Sequence, residues 1–279
     1  MVFLNFFPYV LLKISFSGLQ LSRLLPRLLR EAKRGSVHWS KKLDAARSLA
    51  LYSDTTAPRI AVITLERTPL RSARLVEELH RDGAAFEHFY AVDGAQEFDK
   101  HDLLKYAGTG KQKKLRAVTS LHLPVLNAGQ VLHERLRFGC YMSHVRLWER
   151  QVDLSTPHQV VLEDDALPCE NFQYALQRTL LSLPSEWDIL YLGSCYTKLG
   201  GLLRARIRQV RGALCTYGYV ISLSGAVKLV SQQALKSDKP VDHMLDEAIY
   251  RSVISAYHAD PPLIYRYQTD STLAYPDKS

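Results

Sequence analysis

Val160-Val-Leu-Glu-Asp-Asp-Ala166 runs three apolar residues straight into three carboxylates, and the chain then turns away through Leu167 and Pro168. A short, wholly apolar run reads as a strand buried on both faces of a parallel sheet. Three adjacent acids at its end cannot be buried bare, because an unpaired, desolvated carboxylate is very costly. They either face solvent or hold a cation. Mg²⁺ and Mn²⁺ commonly sit between one or two carboxylates and the phosphates of a substrate. The stretch therefore poses two alternatives, a solvated strand end or a metal–diphosphate site at the C-terminal end of a strand.

Around this stretch the chain alternates between strand and helix patterns. Arg59–Leu65 is a buried strand, followed by Thr68-Pro69 as a cap and first-turn proline, a helix with Leu75, Val76 and Leu79 on one face, and Gly83 as its stop. Phe86–Val92 is a second strand ending in Asp93-Gly94, so the opening unit predicts parallel pairing. Residues 97–137 show little periodicity and carry a Lys-rich patch at Lys111, Lys113 and Lys114, which reads as an excursion. A helix starts near Gly139, with Tyr141, Val145, Trp148 and Val152 on one face. After the acidic strand, Asn171 caps a helix whose inward residues include Phe172, Leu176 and Thr179. Trp187–Gly193 is a strand whose terminal glycine lets another group approach the backbone. Residues 213–222 are β-rich, a helix opens at Ser224-Gly225, another covers 241–255, and Pro261–Tyr265 is a last strand. The alternation predicts an α/β sandwich with a mostly parallel central sheet.

The 279 residues suffice for one sizeable domain plus an appendage, with the boundary placed at residues 58/59. Net charge is +8, but the basic residues are dispersed and there is no zinc-finger spacing or RNA-recognition signature, which argues against nucleic acid as a partner. Residues 1–22 carry one charge, Lys13, and the following segment mixes leucines with Arg23, Arg27 and Arg30. Residues 1–34 therefore read as a membrane-surface segment, with a packed helix or a marginal span as the alternatives. In the absence of a basic n-region or a clear cleavage site, a signal peptide is not expected, and the positive-inside rule would leave the remainder cytoplasmic. Cys140, Cys169, Cys195 and Cys215 contain no Cys-x-x-Cys and read as buried thiols of a reducing compartment rather than as a disulfide framework.

Several stretches occur in the order of one family: Ile63–Arg71, Ala91–Gly94, Gly139–His144, Val161–Asp165, Trp187–Gly193, Cys215–Gly225 and Pro240–Asp242. From about Arg59 to Tyr265 the chain resembles glycosyltransferase family 25, which includes lipopolysaccharide and lipooligosaccharide glycosyltransferases and collagen galactosyltransferases. The resemblance implies a Rossmann-like fold of GT-A type, a UDP-sugar donor (usually UDP-galactose), inverting transfer to a hydroxyl, and Mn²⁺ or Mg²⁺ held by a motif like Asp-x-Asp. The matching residues are Glu163 and Asp165, with Asp164 between them. Two positions depart from the family: Thr64 stands where Asn is usual, and Arg137 stands near a usual Glu.

The chemistry is arguable without the family. A departing nucleoside diphosphate gathers negative charge, which a bridging cation stabilises. Side-chain alternation puts Glu163 and Asp165 on one side if the strand continues, leaving Asp164 for the other. Asp165 is the first candidate metal ligand; Glu163 contacts metal, ribose or metal-bound water, and Asp164 shares these roles if the strand has already ended. Inverting attack needs a general base. Asp242 is the first candidate, with Asp246 and Glu247 in reserve; the alternative for Asp242 is a first-turn acid that complements the helix dipole. Donor or substrate contacts fall to Thr64, Arg67, Arg71, Asp93, Gly94, Ser143, His144 and Gly193, with Arg74 beside them. His243 and His258 are further metal donors in principle, although packing or surface roles suit them as well. The expected function is hexose transfer from a UDP-sugar to a glycan or glycolipid acceptor such as lipopolysaccharide. The alternatives are hydroxylysine galactosylation of a collagen-like protein and a non-catalytic nucleotide-sugar or glycan-binding relative.

Overall fold

The computed structural model describes residues 58–98, 128–204, 206–231 and 239–267. The membrane-surface segment (1–34), nearly all of the appendage and the Lys111–Lys114 patch lie outside the described residues.

The chain opens with β1 (Arg59–Thr64), a 3₁₀ turn (Pro69–Ser72), α1 (Ala73–Arg81), β2 (Phe86–Tyr90) and the short α2 (Gly94–Glu97). The long α3 (Ala128–Asp153) precedes β3 (His158–Glu163), β4 (Ala166–Pro168), α4 (Phe172–Leu180) and β5 (Ile189–Gly193). Strands β6 (Tyr196–Arg204), β7 (Ile207–Leu214) and β8 (Gly218–Ser222) follow. The remaining elements are α5 (Leu223–Ser231), α6 (Val241–Tyr250), β9 (Ala256–Ala259) and β10 (Ile264–Arg266).

Eight strands form one sheet in the order β2-β1-β3-β8-β5-β9-β7-β6, and β10 pairs with β4 in a separate antiparallel ribbon. The pairs β1–β2, β1–β3 and β5–β9 are parallel. The pairs β3–β8, β5–β8, β7–β9 and β6–β7 are antiparallel. Strands β2, β1, β3, β5, β9 and β6 thus point one way and only β8 and β7 oppose them, so the α/β class and the dominant common direction are as the sequence predicts. Two apolar clusters lie on opposite faces. Ala61, Ile63, Val161, Tyr191 and Tyr219 pack against α3, α5 and α6, while Ile60, Val62, Val160, Leu162 and Val220 pack against α1 and α4. That double burial is why β1, β3, β5 and β8 read as unbroken apolar runs.

Four expectations are corrected. Helix α3 begins at Ala128, eleven residues before Gly139 (139 − 128), so the end of the supposed excursion is helical. Gly139 is a packing position: a Cβ there would lie 2.6 Å from both the Gly94 nitrogen and the Val92 oxygen. A β6–β7 hairpin precedes β8, and residues 215–217 separate two strands rather than continuing one. Cys195 and Cys215 are joined by a disulfide, whereas Cys140 and Cys169 are free thiols. Finally, α6 ends at Tyr250, and Ser252 lies beyond it with a positive φ. By contrast, Gly83 does terminate α1, at φ +68°, the left-handed conformation that glycine adopts without strain.

Candidate active site

Strand β3 stops at Glu163, and Asp164 and Asp165 form a turn, so each acid takes a separate direction. Glu163 continues the β3 face that meets α3, the face of Val161. Its Oε1 accepts from Thr216 Oγ1 at 2.5 Å and lies 3.3 Å from His144 Nε2. Burial pushes the Glu163 pKa up, but the bonds from His144 and Thr216 outweigh it and hold the carboxyl below the ordinary 4.5. Asp164 accepts two bonds from Arg71, Nε to Oδ2 at 2.8 Å and Nη2 to Oδ1 at 3.1 Å, a bidentate pair tying the motif to the segment after β1. The same pair raises the Arg71 pKa against the opposing effect of its burial.

Asp165 differs from both. Its Oδ2 accepts from Arg266 Nε at 2.9 Å, on β10, while its Oδ1 is buried and has no hydrogen-bond partner among the described residues. Burial, and then the charge of Glu163, raises its pKa above the ordinary 3.8 despite Arg266. An orphaned carboxylate oxygen in this setting is the atom a cation would satisfy. No group of three or more His, Cys, Asp and Glu gathers to hold a metal among the described residues. A cation held at Asp165 would thus meet one or two protein carboxylates and take its other ligands from outside the chain's described residues.

Beneath the acids, His144 is 1% exposed, and its Nδ1 lies 2.9 Å from the Tyr219 hydroxyl, which also accepts from Trp148 Nε1 at 3.0 Å. His144 thus orients Glu163 from inside. Ser143 is likewise buried. Its hydroxyl accepts from the Val92 nitrogen at 2.9 Å and donates to the Gly139 oxygen at 2.8 Å, holding the end of the β2 segment on α3. Both residues face the interior, where they support Glu163 and the end of the β2 segment.

Asp242 lies in the first turn of α6, where its Oδ2 accepts from the Cys215 nitrogen at 3.2 Å and its Oδ1 from the His243 nitrogen at 2.8 Å. Its charge, with those of Glu163, Asp164 and Asp165, reaches the Cys140 thiol, whose pKa is driven far up by burial first and then by these four acids. Asp246 Oδ1 accepts from the Ala213 nitrogen at 3.0 Å. Glu247 is ion-paired with Lys239 and Arg251, and the Lys239 bond holds its pKa low, which works against a role as base. His243, Asp246 and Glu247 line a cavity of about 750 Å³ with Arg137 of α3 and Tyr250.

The remaining expected contacts divide. Arg67 Nε binds Asp93 Oδ2 at 2.6 Å, and Asp93 Oδ1 caps α2 by accepting from the Ala95 nitrogen at 3.0 Å. Thr64 is buried at the end of β1, its hydroxyl 3.4 Å from His88 Nδ1. Arg74 lies over the Tyr267 ring at 4.2 Å. Two glycines let a neighbouring backbone approach closely, as the sequence expects of Gly193. A Cβ at Gly94 would come within 1.8 Å of the Arg135 oxygen, and one at Gly193 within 2.1 Å of the Ile264 oxygen. His258 is buried, with Nε2 3.1 Å from Ser194 Oγ and Nδ1 2.6 Å from the Ala259 oxygen, and burial lowers its pKa. Thr216 and Arg266 enter the site without having been singled out; Thr216 lies inside a quoted motif, and nothing local marks Arg266.

Fold and site together define an α/β protein with clustered carboxylates at the C-terminal ends of its strands, where such sheets bind ligands. The family model described as glycosyltransferase family 25 (LPS biosynthesis protein) matches residues 57–245. The chain belongs to glycosyltransferase family 25. It is 29% identical over 74% of its length to a glycosyltransferase 25 family member of Anopheles gambiae, of which it covers 36%. It is 30% identical over 72% of its length to a mouse protein named inactive glycosyltransferase 25 family member 3, of which it covers 33%. A third relative, procollagen galactosyltransferase 1 of Danio rerio, is 25% identical over 70% of this chain and 37% of its own length. The chain thus spans about a third of the length of these relatives.

Proposed function

We propose that the protein is a GT-A-type, metal-dependent, inverting hexosyltransferase that moves galactose from UDP-galactose to a hydroxyl of a glycan acceptor such as lipopolysaccharide or lipooligosaccharide. The orphaned Asp165 Oδ1 carries this reading, because a buried carboxylate oxygen without a partner is costly unless a ligand completes it. Asp165 would hold Mn²⁺ or Mg²⁺, with Glu163 as a more remote contributor because Thr216 and His144 already occupy its Oε1. When bound, the cation stabilises the charge that develops on the departing diphosphate.

The chain's own residues do the rest. Arg71 fixes Asp164 in a bidentate pair and so holds the acidic turn against the segment after β1. Arg266, 45% exposed at its side chain, pairs with Asp165 from the outer side and offers a second cation to the phosphates. Asp242 takes the acceptor hydroxyl's proton as that oxygen attacks the anomeric carbon opposite the leaving UDP. Both its oxygens accept backbone N–H bonds, which fix the carboxylate while leaving lone pairs for the proton.

A lipid-linked glycan acceptor goes with residues 1–34 resting on the cytoplasmic face of a membrane. Among the described residues, no helix is long and apolar enough to cross one. A second reading, transfer to hydroxylysine of a collagen-like protein, is favoured by the Cys195–Cys215 disulfide, since such bonds persist in oxidising compartments. The test is thermal stabilisation by UDP, by Mn²⁺ and by the two together. The joint stabilisation should exceed the sum of the separate ones, and simple additivity would count against a shared metal–diphosphate site. Comparing glycan with hydroxylysine-peptide acceptors then separates the two readings.

A further inference from the structure

Cys215 and Thr216 lie between β7 and β8 and contact two of the site's carboxylates, Asp242 and Glu163. The Cys215 N–H donates to Asp242 Oδ2 at 3.2 Å, and the Thr216 hydroxyl donates to Glu163 Oε1 at 2.5 Å. Two consecutive residues therefore grip an acid on β3 and an acid on α6. The grip is made by a backbone in an unusual state: Cys215 has φ +69°, in the left-handed region that residues bearing a Cβ rarely occupy. Something must hold it there. The Cys215 sulfur is bonded to Cys195, and the Cys195 N–H donates to the Leu214 oxygen at 3.2 Å, so the residue is tied on both sides of the turn. Cys195 is exposed, which leaves the bond accessible to thiols.

We propose that the Cys195–Cys215 disulfide and Thr216 form a positioning clip that sets the placement of Glu163 relative to Asp242, so that turnover requires the bond to be oxidised. This rests on the transferase reading above. When the bond opens, Cys215 can relax toward negative φ. Such a rotation turns the Cys215 N–H and the Thr216 hydroxyl relative to one another, because they lie on opposite sides of the rotated bond, so the grips on Asp242 and Glu163 cannot both be kept. Helix α6 keeps a second hold on β7 through Asp246 and the Ala213 nitrogen, so the clip can open without undocking the helix. A closed clip goes with the second reading above, in an oxidising compartment; on a cytoplasmic face the same bond would be reduced and the site held in its slower state.

The experiment uses the full chain and compares wild type, the Cys195→Ser/Cys215→Ser double variant, Thr216→Val and Thr216→Ser, with Cys169→Ser as a control for cysteine loss. UDP release from UDP-galactose with Mn²⁺ is read well below each melting temperature, alongside hydrogen exchange over 213–217 and 241–246. The expected result is a loss of kcat of about tenfold or more in the double variant and in Thr216→Val, with the donor KM within about threefold. Thr216→Ser, which keeps the hydroxyl, should recover most of the turnover that Thr216→Val loses, and Cys169→Ser should stay near wild type. Exchange at the Cys215 amide should quicken when dithiothreitol reduces the wild-type bond. A bond that only stabilises the fold would lower the melting temperature and leave kcat alone. Full turnover in a folded double variant, or wild-type turnover in Thr216→Val, would overturn the clip. If oxidised wild type releases no UDP, the transferase reading fails by itself, and unchanged Cys215 exchange on reduction would separately overturn the clip.

Discussion

Replacing Asp165 by Asn separates the chemistry of the site from its stability. The substitution keeps the shape and an oxygen for Arg266 Nε, now 2.9 Å from Oδ2, but removes the charge that would hold a cation at the orphaned Oδ1. Losing a group that stabilises charge developing on a leaving group typically costs about 10²–10³ in rate, or about 2.7–4 kcal/mol. Folding responds differently. Burial and the Glu163 charge raise the Asp165 pKa, so the ionised form is less favoured in the fold than in the unfolded chain. This penalty is absent below the unfolded value of 3.8 and sets in as pH rises through the higher folded value. At neutral pH the Asn variant escapes it, while its own unpaired amide group costs about 1–3 kcal/mol if left buried. The two effects oppose, so the melting temperature without metal should stay within about 5 °C of wild type. UDP release with and without Mn²⁺, together with melting curves across a Mn²⁺ titration, checks both halves. A variant that keeps full Mn²⁺-dependent turnover would refute the assignment of Asp165.

Asp242→Asn should cut turnover by about 10²-fold or more while UDP affinity stays near wild type, as judged by turnover and calorimetry; a variant that fails to fold would instead mark Asp242 as an anchor for the Cys215 nitrogen. Gly94→Ala should destabilise by about 1–3 kcal/mol or more, because its Cβ would fall 1.8 Å from the Arg135 oxygen. Gly201→Ala, with nothing within 4 Å, should leave the melting temperature almost unchanged. Glu163 has its pKa depressed in the fold, so its stabilising contribution is present above the ordinary 4.5 and is lost as pH falls through the folded value. Melting curves from pH 7 to pH 3 should therefore show wild type losing more stability on acidification than Glu163→Gln.

The layered α/β fold was legible because strands buried on both faces leave unbroken apolar runs: Ile60–Ile63, Val160–Leu162, Ile189–Leu192 and Tyr219–Ile221. The β6–β7 hairpin was not, since its ladder is irregular, with register shifts around Lys198, Leu199 and Leu202, and Gly200 and Gly201 interrupt the alternation. Gly139 misled because a glycine inside a helix looks like a boundary, whereas here it admits the backbone of Val92 and Gly94. Carboxylate chemistry can be read from residue types, so the acids were found. Their partners depend on distant contacts: Arg266 is 101 residues from Asp165, and Thr216 is 53 from Glu163. The disulfide was missed for the same reason, because its cysteines lie 20 residues apart with no motif between them and meet only when β6 and β7 pair.

The proposed transfer rests on a metal–diphosphate site organised by Asp165. Its most direct measurement is UDP release from a panel of UDP-sugars by the oxidised full chain, with Mn²⁺, with Mg²⁺ and with EDTA. Turnover of UDP-galactose that appears with Mn²⁺ and disappears with EDTA is the predicted result. Release that is unaffected by EDTA, or no release from any UDP-sugar, would contradict it.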